Sequence, residues 1–345
     1  MSFENVSESR IGKRSLTAKN HWEELSFKEK YKIERPTVFC FSGSGDISNM
    51  SANGFCKLVE NMLTLSFENP KNVEKEVDIV GIAYGVTDRE LCIGNMEDYE
   101  LIYFIQNYML PLCLNDDGTK RLPLAKACKN MAKVSFFGFC HGCEEIQTIL
   151  ATLKILLPKY GYEEDEIKKI MGSTFCVGYA PQTNNRHCPG VSVYSMFDRH
   201  NFGNVTDRFE DYENMLGEDV DGVLLDIDRN GYEFGNKVKV RPERFEFNNI
   251  KIMSSKLLNE HEPKDEHAIN ILSRDASWNM RFYQDKNADC VSQMMSFALC
   301  EAVENSRRVC LTNKHSVVKT RELYKNLCSI ENRGFKREEL EDHVK

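Results

Sequence analysis

Short apolar runs alternate with segments of helical periodicity along the middle of this 345-residue chain. The runs are rich in β-branched and aromatic residues, several of them stop at a glycine, and they span 37–42, 77–84, 134–138, 174–179 and 191–196. Between them, segments such as 52–65 repeat apolar residues at helical spacing. Strands that alternate with helices are typical of a mostly parallel sheet with helices on both faces. We therefore predict an α/β fold of this kind.

The two ends of the chain are more polar than its middle. Residues 1–35 are predicted to form a flexible, polar N-terminal arm with at most one helix, near Trp22. The α/β domain is predicted over 36–285. A helical C-terminal extension follows over 286–345, and it contains a long amphipathic helix near 288–305.

A hairpin is predicted inside the α/β domain, where residues 226–231 separate two β-rich runs at 223–225 and 237–240. The separating residues contain Asn-Gly, the dipeptide that tight hairpin turns favour. They also match the start of an EF-hand calcium loop, but Lys237 stands at the twelfth position, where such a loop needs a bidentate glutamate. We therefore interpret 226–231 as a turn and predict the last strand at 245–253.

Charge and composition exclude several classes of partner. The chain has 45 Lys and Arg residues against 53 Asp and Glu residues, and its net charge of −8 provides no bulk positive field for phosphate backbones or anionic lipid. It contains no apolar run of about 18 residues, the length that suggests a membrane span. Residues 1–14 are polar and lack the apolar stretch of a signal peptide. We expect neither a nucleic-acid partner nor a membrane span.

The 13 cysteines cannot all pair, and several of them lie within apolar segments, as Cys56, Cys128, Cys176 and Cys300 do. This pattern is typical of reduced thiols that serve as small apolar side chains. A cytoplasmic location is therefore predicted. The polar arm, the acidic tail and the Cys/Asn/Lys-rich composition also resemble those of secreted effectors of intracellular bacteria, which act in a host cytosol.

The segment Gly138-Phe139-Cys140-His141-Gly142 lies between a predicted strand and a predicted helix. A nucleophile in such a strained turn needs a glycine on either side, because a side chain there would prevent the strand and the helix from closing around it. The N-terminus of a helix also favours the thiolate form of a cysteine. We therefore predict Cys140 as a nucleophile, with the backbone N–H of His141 facing the oxyanion. The alternative is a buried structural cysteine.

This pentapeptide and the order of elements over 37–200 resemble the α/β-hydrolase fold, and the cysteine resembles that of the dienelactone hydrolases. The resemblance implies a second oxyanion donor in a Gly-rich loop two strands before the nucleophile. Gly43, Ser44 and Gly45 occupy that position. An ordinary turn and a phosphate-binding loop are the alternatives for these three residues.

The same resemblance implies an acid after a later strand and a histidine after the acid. Asp198 matches the acid, and its alternative role is an ion pair in a solvated loop. His267 and His261 are the candidates for the histidine. We favour His267, because the apolar residues that follow it can hold its backbone where proton transfer requires the ring.

Two other chemistries involve the same cysteine. Cys140 and Cys143 form a Cys-x-x-Cys motif at the start of a helix, which thioredoxin-like proteins use for dithiol exchange. That alternative does not account for Gly138. A zinc site could combine these two cysteines with His187 and Cys188, but the spacing is unlike that of common zinc sites.

The predicted function is hydrolysis of an ester, thioester or amide by a triad of Cys140, His267 and Asp198, without a cofactor. The substrate would be a small molecule or an acylated molecule. A thiol-disulfide oxidoreductase is the first alternative. The second is a non-catalytic binding protein on a hydrolase fold, since a fold does not dictate a function.

Overall fold

The computed structural model describes residues 11–15, 22–25, 32–41, 55–56, 59–60, 62–63, 77–82, 84, 98–181, 185, 187–195, 223–227, 249–254, 286–320, 322–323 and 326–327. Nine strands among these residues form one sheet. In chain order they are β1 (Ile11–Ser15), β2 (Trp22–Leu25), β3 (Thr37–Phe41), β4 (Asp78–Ile82), β5 (Val134–Phe139), β6 (Phe175–Tyr179), β7 (Gly190–Ser195), β8 (Val223–Ile227) and β9 (Asn249–Ser254).

The strands are arranged in the order β2-β1-β4-β3-β5-β6-β7-β9-β8 across the sheet. All neighbours from β4 to β8 are parallel, whereas β1 runs antiparallel to both β2 and β4. Strands β3 to β6 are buried at every position, which explains why their sequences are almost continuously apolar. The predicted α/β class with a mostly parallel sheet is confirmed.

Helices cover both faces of this sheet. They are α1 (Asp98–Phe104), which continues into a π-helical turn (Ile105–Met109) and a 3₁₀ turn (Leu110–Leu112), then α2 (Leu124–Met131), α3 (His141–Leu156), α4 (Glu164–Met171) and α5 (Lys286–Thr312). Side chains of α1 to α4 pack with Phe39 and Phe41 of β3 in one apolar cluster. Those of α5 and of the helical residues within 55–63 pack with Val38 and Cys40 in a second cluster. Because alternate residues of a strand face opposite ways, the two clusters lie on opposite faces.

The N-terminal arm differs from its prediction. Trp22 lies in strand β2, not in a helix, and β1 joins β2 to the edge of the sheet at β4. The two strands are polar, so their apolar pattern is weak. The unpaired backbone groups at the edge of β4 provide the partner that their sequences do not indicate.

The C-terminal half contains two further differences. Strand β8 is the predicted first arm of the hairpin, but it pairs in parallel with β9, and the predicted second arm at 237–240 lies outside the described residues. The helix predicted near 288–305 is present and extends over Lys286–Thr312. Its Leu299 and Val303 belong to the apolar cluster on the sheet, so this helix is part of the α/β core.

Candidate functional site

Cys140 occupies the sharp turn between β5 and α3. It is the N-cap residue of α3 and has φ 50° and ψ −121°, a positive-φ conformation that residues other than glycine rarely adopt. Its backbone N–H donates to the Tyr179 carbonyl at 2.9 Å, and its carbonyl accepts from the Cys143 N–H at 3.0 Å. The first bond continues the pairing of β5 with β6, and the second lies at the N-terminus of α3. The strained residue is therefore held from both sides.

Gly138 is required by the close approach of α3 to β5. A Cβ on Gly138 would lie 2.8 Å from Ile146 Cδ1, 2.9 Å from Cys143 Sγ and 3.0 Å from Cys143 Cα. A Cβ on Gly178, the residue paired with Gly138 on β6, would lie 3.1 Å from the same sulfur. The first turn of α3 thus packs directly against two glycines, Gly138 and Gly178. A larger side chain at position 138 would push α3 off the sheet, and one at position 178 would displace the Cys143 sulfur.

Cys143 is a packing residue in this arrangement. Its thiol is buried between the two glycines, and its Sγ lies 4.0 Å from the carbonyl of Tyr179. Burial raises the pKa of the Cys143 thiol well above its ordinary value. A resolving cysteine for dithiol exchange needs an accessible thiol that ionises readily, and Cys143 has neither property.

The residues of the alternative zinc site do not form a metal site either. Cys188 is fully buried, and its Sγ contacts Asn185 Oδ1 at 3.6 Å. Burial, together with the neighbouring thiol of Cys176, raises the pKa of Cys188 well above its ordinary value. Among the described residues, no group of three His, Cys, Asp or Glu side chains is placed to hold a metal ion.

Next to Cys140, the side chain of His141 lies between two carboxylates of its own helix. Its Nδ1 lies 2.8 Å from Glu144 Oε2, and its Nε2 lies 3.2 Å from Glu145 Oε1. His141 and Glu145 are both buried. The contact of Nδ1 with Glu144 engages this ring with its own helix, so we expect the base for Cys140 from another part of the chain.

Tyr84, which is half-buried, brings a phenol to the same end of the sheet, just beyond the end of β4. Burial, then the charges of Glu145 and Cys140, raise the pKa of Tyr84 well above its ordinary value, so it stays a neutral hydrogen-bond donor. Its ring packs at 6.2 Å from that of Phe41, the last residue of β3. The sequence offered one signal for Tyr84: it follows a parallel strand, and the carboxyl ends of parallel strands meet at one edge.

The structure thus places Cys140, His141, Glu144, Glu145 and Tyr84 together at the carboxyl edge of the sheet. Sequence reasoning named the first two of them and missed the other three. In the sequence Glu144 is an ordinary first-turn acidic residue and Glu145 is the residue after it, and only the position of the His141 ring makes them part of the cluster.

The other predicted site residues lie outside the described residues: Gly43, Ser44, Gly45, Asp198, His261 and His267. Their predicted roles stay predictions. Of the calcium-loop alternative, Asp226 lies within β8, where it pairs with Met253, and residues 228–231 are outside the described part.

A buried network of three side-chain amides supports the elements around the site. Asn185 lies between β6 and β7 in the chain. Its Oδ1 accepts from Gln147 Nε2 of α3 at 2.8 Å, and its Nδ2 donates to Asn249 Oδ1 of β9 at 2.8 Å and to the Cys188 carbonyl at 3.0 Å. The network ties the helix that carries Cys140 to β7 and β9.

Comparisons with known proteins give distant similarities. No protein-family model and no curated protein matches the chain. A dienelactone hydrolase-like promiscuous phosphotriesterase from metagenomic libraries aligns with 76% of this chain and 87% of its own, at 9% identity and a TM-score of 0.28. A protein named FAE aligns with 82% of this chain and 88% of its own, at 9% identity and a TM-score of 0.30.

A third solved structure, a protein assigned as a carboxylesterase from Lactobacillus plantarum WCFS1, aligns with 81% of this chain and 99% of its own, at 9% identity and a TM-score of 0.32. Structural similarity at this level does not indicate an activity for this chain. In the part of the chain that the structure describes, no helix combines the length and the apolar character needed to cross a membrane.

Proposed function

We propose that this chain is a hydrolase of the α/β-hydrolase type whose Cys140 thiolate attacks the carbonyl carbon of an ester, thioester or amide. The observation that carries the proposal is the φ of 50° and ψ of −121° at Cys140, in a turn between a parallel strand and a helix. Strain of this kind costs roughly 1–3 kcal/mol and persists mainly where a function requires it. Here it places a nucleophilic residue at a helix N-terminus.

The proposed reaction has two halves. The Cys140 thiolate adds to the carbonyl carbon, and the resulting oxyanion expels the alcohol, thiol or amine, which takes a proton from the base; an acyl-thioester remains on Cys140. Water then gives a proton to the base and attacks the thioester, which releases the carboxylic acid and the thiolate. We propose His267 as the base and Asp198 as the acid that orients it.

Backbone N–H groups are the proposed oxyanion donors. One is the N–H of His141, in the first turn of α3, where helical N–H groups have no acceptor within the helix and point toward a ligand. The second belongs to the loop of Gly43, Ser44 and Gly45. The half-buried phenol of Tyr84 adds a neutral donor at the same edge.

Reduced cysteines support a reducing compartment for this activity. The ten cysteines within the described residues are all free, and nine of them are buried. A thiolate nucleophile works only where it is not oxidised to a disulfide or a sulfenic acid. We therefore propose action in a cytoplasm, which can be that of a host cell.

Two measurements test the proposal. The wild type should hydrolyse an activated acyl ester such as p-nitrophenyl butyrate, and one cysteine should be alkylated by iodoacetamide much faster than the other twelve at neutral pH. Cys140→Ala should abolish both signals. The matched control is Cys310→Ala, because Cys310 is the described cysteine that is not buried, and it should leave both unchanged. A folded Cys140→Ala variant that still turns over the ester would refute the proposal, and a folded wild type with no activity and no fast thiol would favour a binding protein.

A further inference from the structure

Cys140 has a second strained residue beside it. Ala180 has φ 46°, and with Cys140 and Asn313 it is one of three residues other than glycine with a positive φ among the described residues. Strands β5 and β6 pair in register up to Phe139 and Tyr179, so Cys140 and Ala180 are the next residues of two adjacent strands. Asn313 directly follows α5, where a left-handed residue is common.

The strain at Ala180 is imposed by its neighbours. Its N–H donates to the Val193 carbonyl at 2.8 Å, so the residue is still held by the sheet when the chain turns. Pro181 follows, and a proline favours an extended backbone in the residue before it, which makes the positive φ of Ala180 more costly. Pro181 lies on the α3 side of the sheet, since its Cβ is 3.8 Å from the position of a Cβ on Gly178. The turn at Ala180 therefore directs Pro181 to the α3 face.

A glycine would make this turn without strain, because it adopts a positive φ at no steric cost. Ala180 differs from a glycine only by its methyl group. It is 2% exposed, and it belongs to the same apolar cluster as Cys140, on the face opposite α3. The methyl group thus lies on the side of the sheet to which the Cys140 side chain belongs.

We infer that Ala180 is a specificity-determining residue, whose methyl group forms the β6 side of the site for the acyl group next to Cys140. This inference rests on the proposed function, since Ala180 would line the site in which the acyl group is bound to the Cys140 thiol. The size of residue 180 then limits the acyl chain that fits. In an apolar pocket one methylene changes discrimination by about 10–200-fold.

The test compares two variants that keep the backbone turn. Ala180→Gly makes the side chain smaller, and Ala180→Asn makes it larger while retaining a residue that tolerates a positive φ. The control is Asn313→Gly, which changes another positive-φ residue away from the site. For each, kcat/KM is measured with p-nitrophenyl acetate, butyrate and octanoate. The rate of Cys140 alkylation by iodoacetamide and by its N-hexyl derivative is measured by mass spectrometry.

Ala180→Gly should raise the octanoate-to-acetate ratio by about tenfold or more, and Ala180→Asn should lower it, while Asn313→Gly leaves it unchanged. The alkylation ratio of the two reagents should shift in the same directions.

If Cys140→Ala is inactive and both ratios in a folded Ala180→Gly variant equal those of the wild type, the inference is wrong and the proposed function stands. If Cys140→Ala keeps its activity, the proposed function fails. If no ester is hydrolysed, the alkylation ratio still decides the role of Ala180, and a Cys140 that no reagent modifies would overturn both.

Discussion

Cys143 occupies the space where a side chain on Gly138 would have to lie, with its Sγ 2.9 Å and its Cα 3.0 Å from the position of a Cβ. The sulfur can rotate away, but the Cα belongs to the backbone of α3 and cannot. The contact therefore fixes how closely the helix approaches the strand, and with it the turn that holds Cys140. Two predictions concern these neighbours.

Gly138→Ala should destabilise the protein by about 1–3 kcal/mol, because the added methyl group forces α3 away from β5. Urea unfolding followed by circular dichroism measures this change. The double variant Gly138→Ala/Cys143→Ala removes the sulfur and should recover part of the loss, since the two sites are in contact. Strictly additive effects would show that the sulfur does not limit the approach.

Cys143→Ser should retain the activity of the wild type within a few-fold, because the Cys143 thiol packs between glycines and takes no part in acyl transfer. The hydroxyl can still donate to the Tyr179 carbonyl, which the thiol contacts at 4.0 Å. Ester hydrolysis and insulin-disulfide reduction are measured side by side. If this variant were as inactive as Cys140→Ala, and the wild type reduced the disulfide, dithiol exchange would replace acyl transfer as the function.

His267→Ala should lower kcat by about 10²–10⁴-fold, the usual contribution of a positioned general base. His261→Ala and His200→Ala should stay within a few-fold of the wild type. All three variants are assayed on one activated ester, and circular dichroism confirms that they are folded. A large loss in one of the other two histidine variants would identify the base instead.

Asn185→Ala should destabilise the protein by at least about 2 kcal/mol. It removes three buried hydrogen bonds, to Gln147 Nε2, Asn249 Oδ1 and the Cys188 carbonyl, and each such bond contributes about 0.5–1.5 kcal/mol. The matched control is Asn130→Ala, which removes a single bond to the Leu112 carbonyl and should cost about 1 kcal/mol. Equal losses in urea unfolding would contradict a network role for Asn185.

His315 should make the protein less stable in mildly acidic solution. Partial desolvation of the ring lowers the pKa of His315 below the ordinary 6.5, and its Nε2 lies 2.9 Å from Ser173 Oγ. As the pH falls below 6.5, the unfolded chain therefore takes up the proton before the folded chain does. Stability falls through this interval and stops falling, for this group, below the lowered pKa of the folded state. His315→Gln should have a smaller loss between pH 7 and pH 5 in thermal unfolding; an identical pH profile would contradict the assignment.

The parallel core can be predicted from the amino-acid sequence alone. Strands β3, β5 and β6 are short, almost continuously apolar runs, and each is followed by a glycine or a turn. This local pattern is typical of buried parallel strands. The turn at Cys140 was predictable for the same reason, because the glycines that flank it along the chain are a local signal. These features depend on residues that are close in sequence.

Other features of the fold depend on partners that are distant in the sequence, so they are visible only in the folded chain. The polar strands β1 and β2 form because the edge of β4 offers unpaired backbone groups, and β8 pairs in parallel with β9 although its turn residues favour a hairpin. The packing role of Cys143 depends on Gly178, 35 positions along the chain and on another strand. The strain at Ala180 likewise arises from the Val193 carbonyl on β7, and contacts of this kind leave no periodic signal in the sequence.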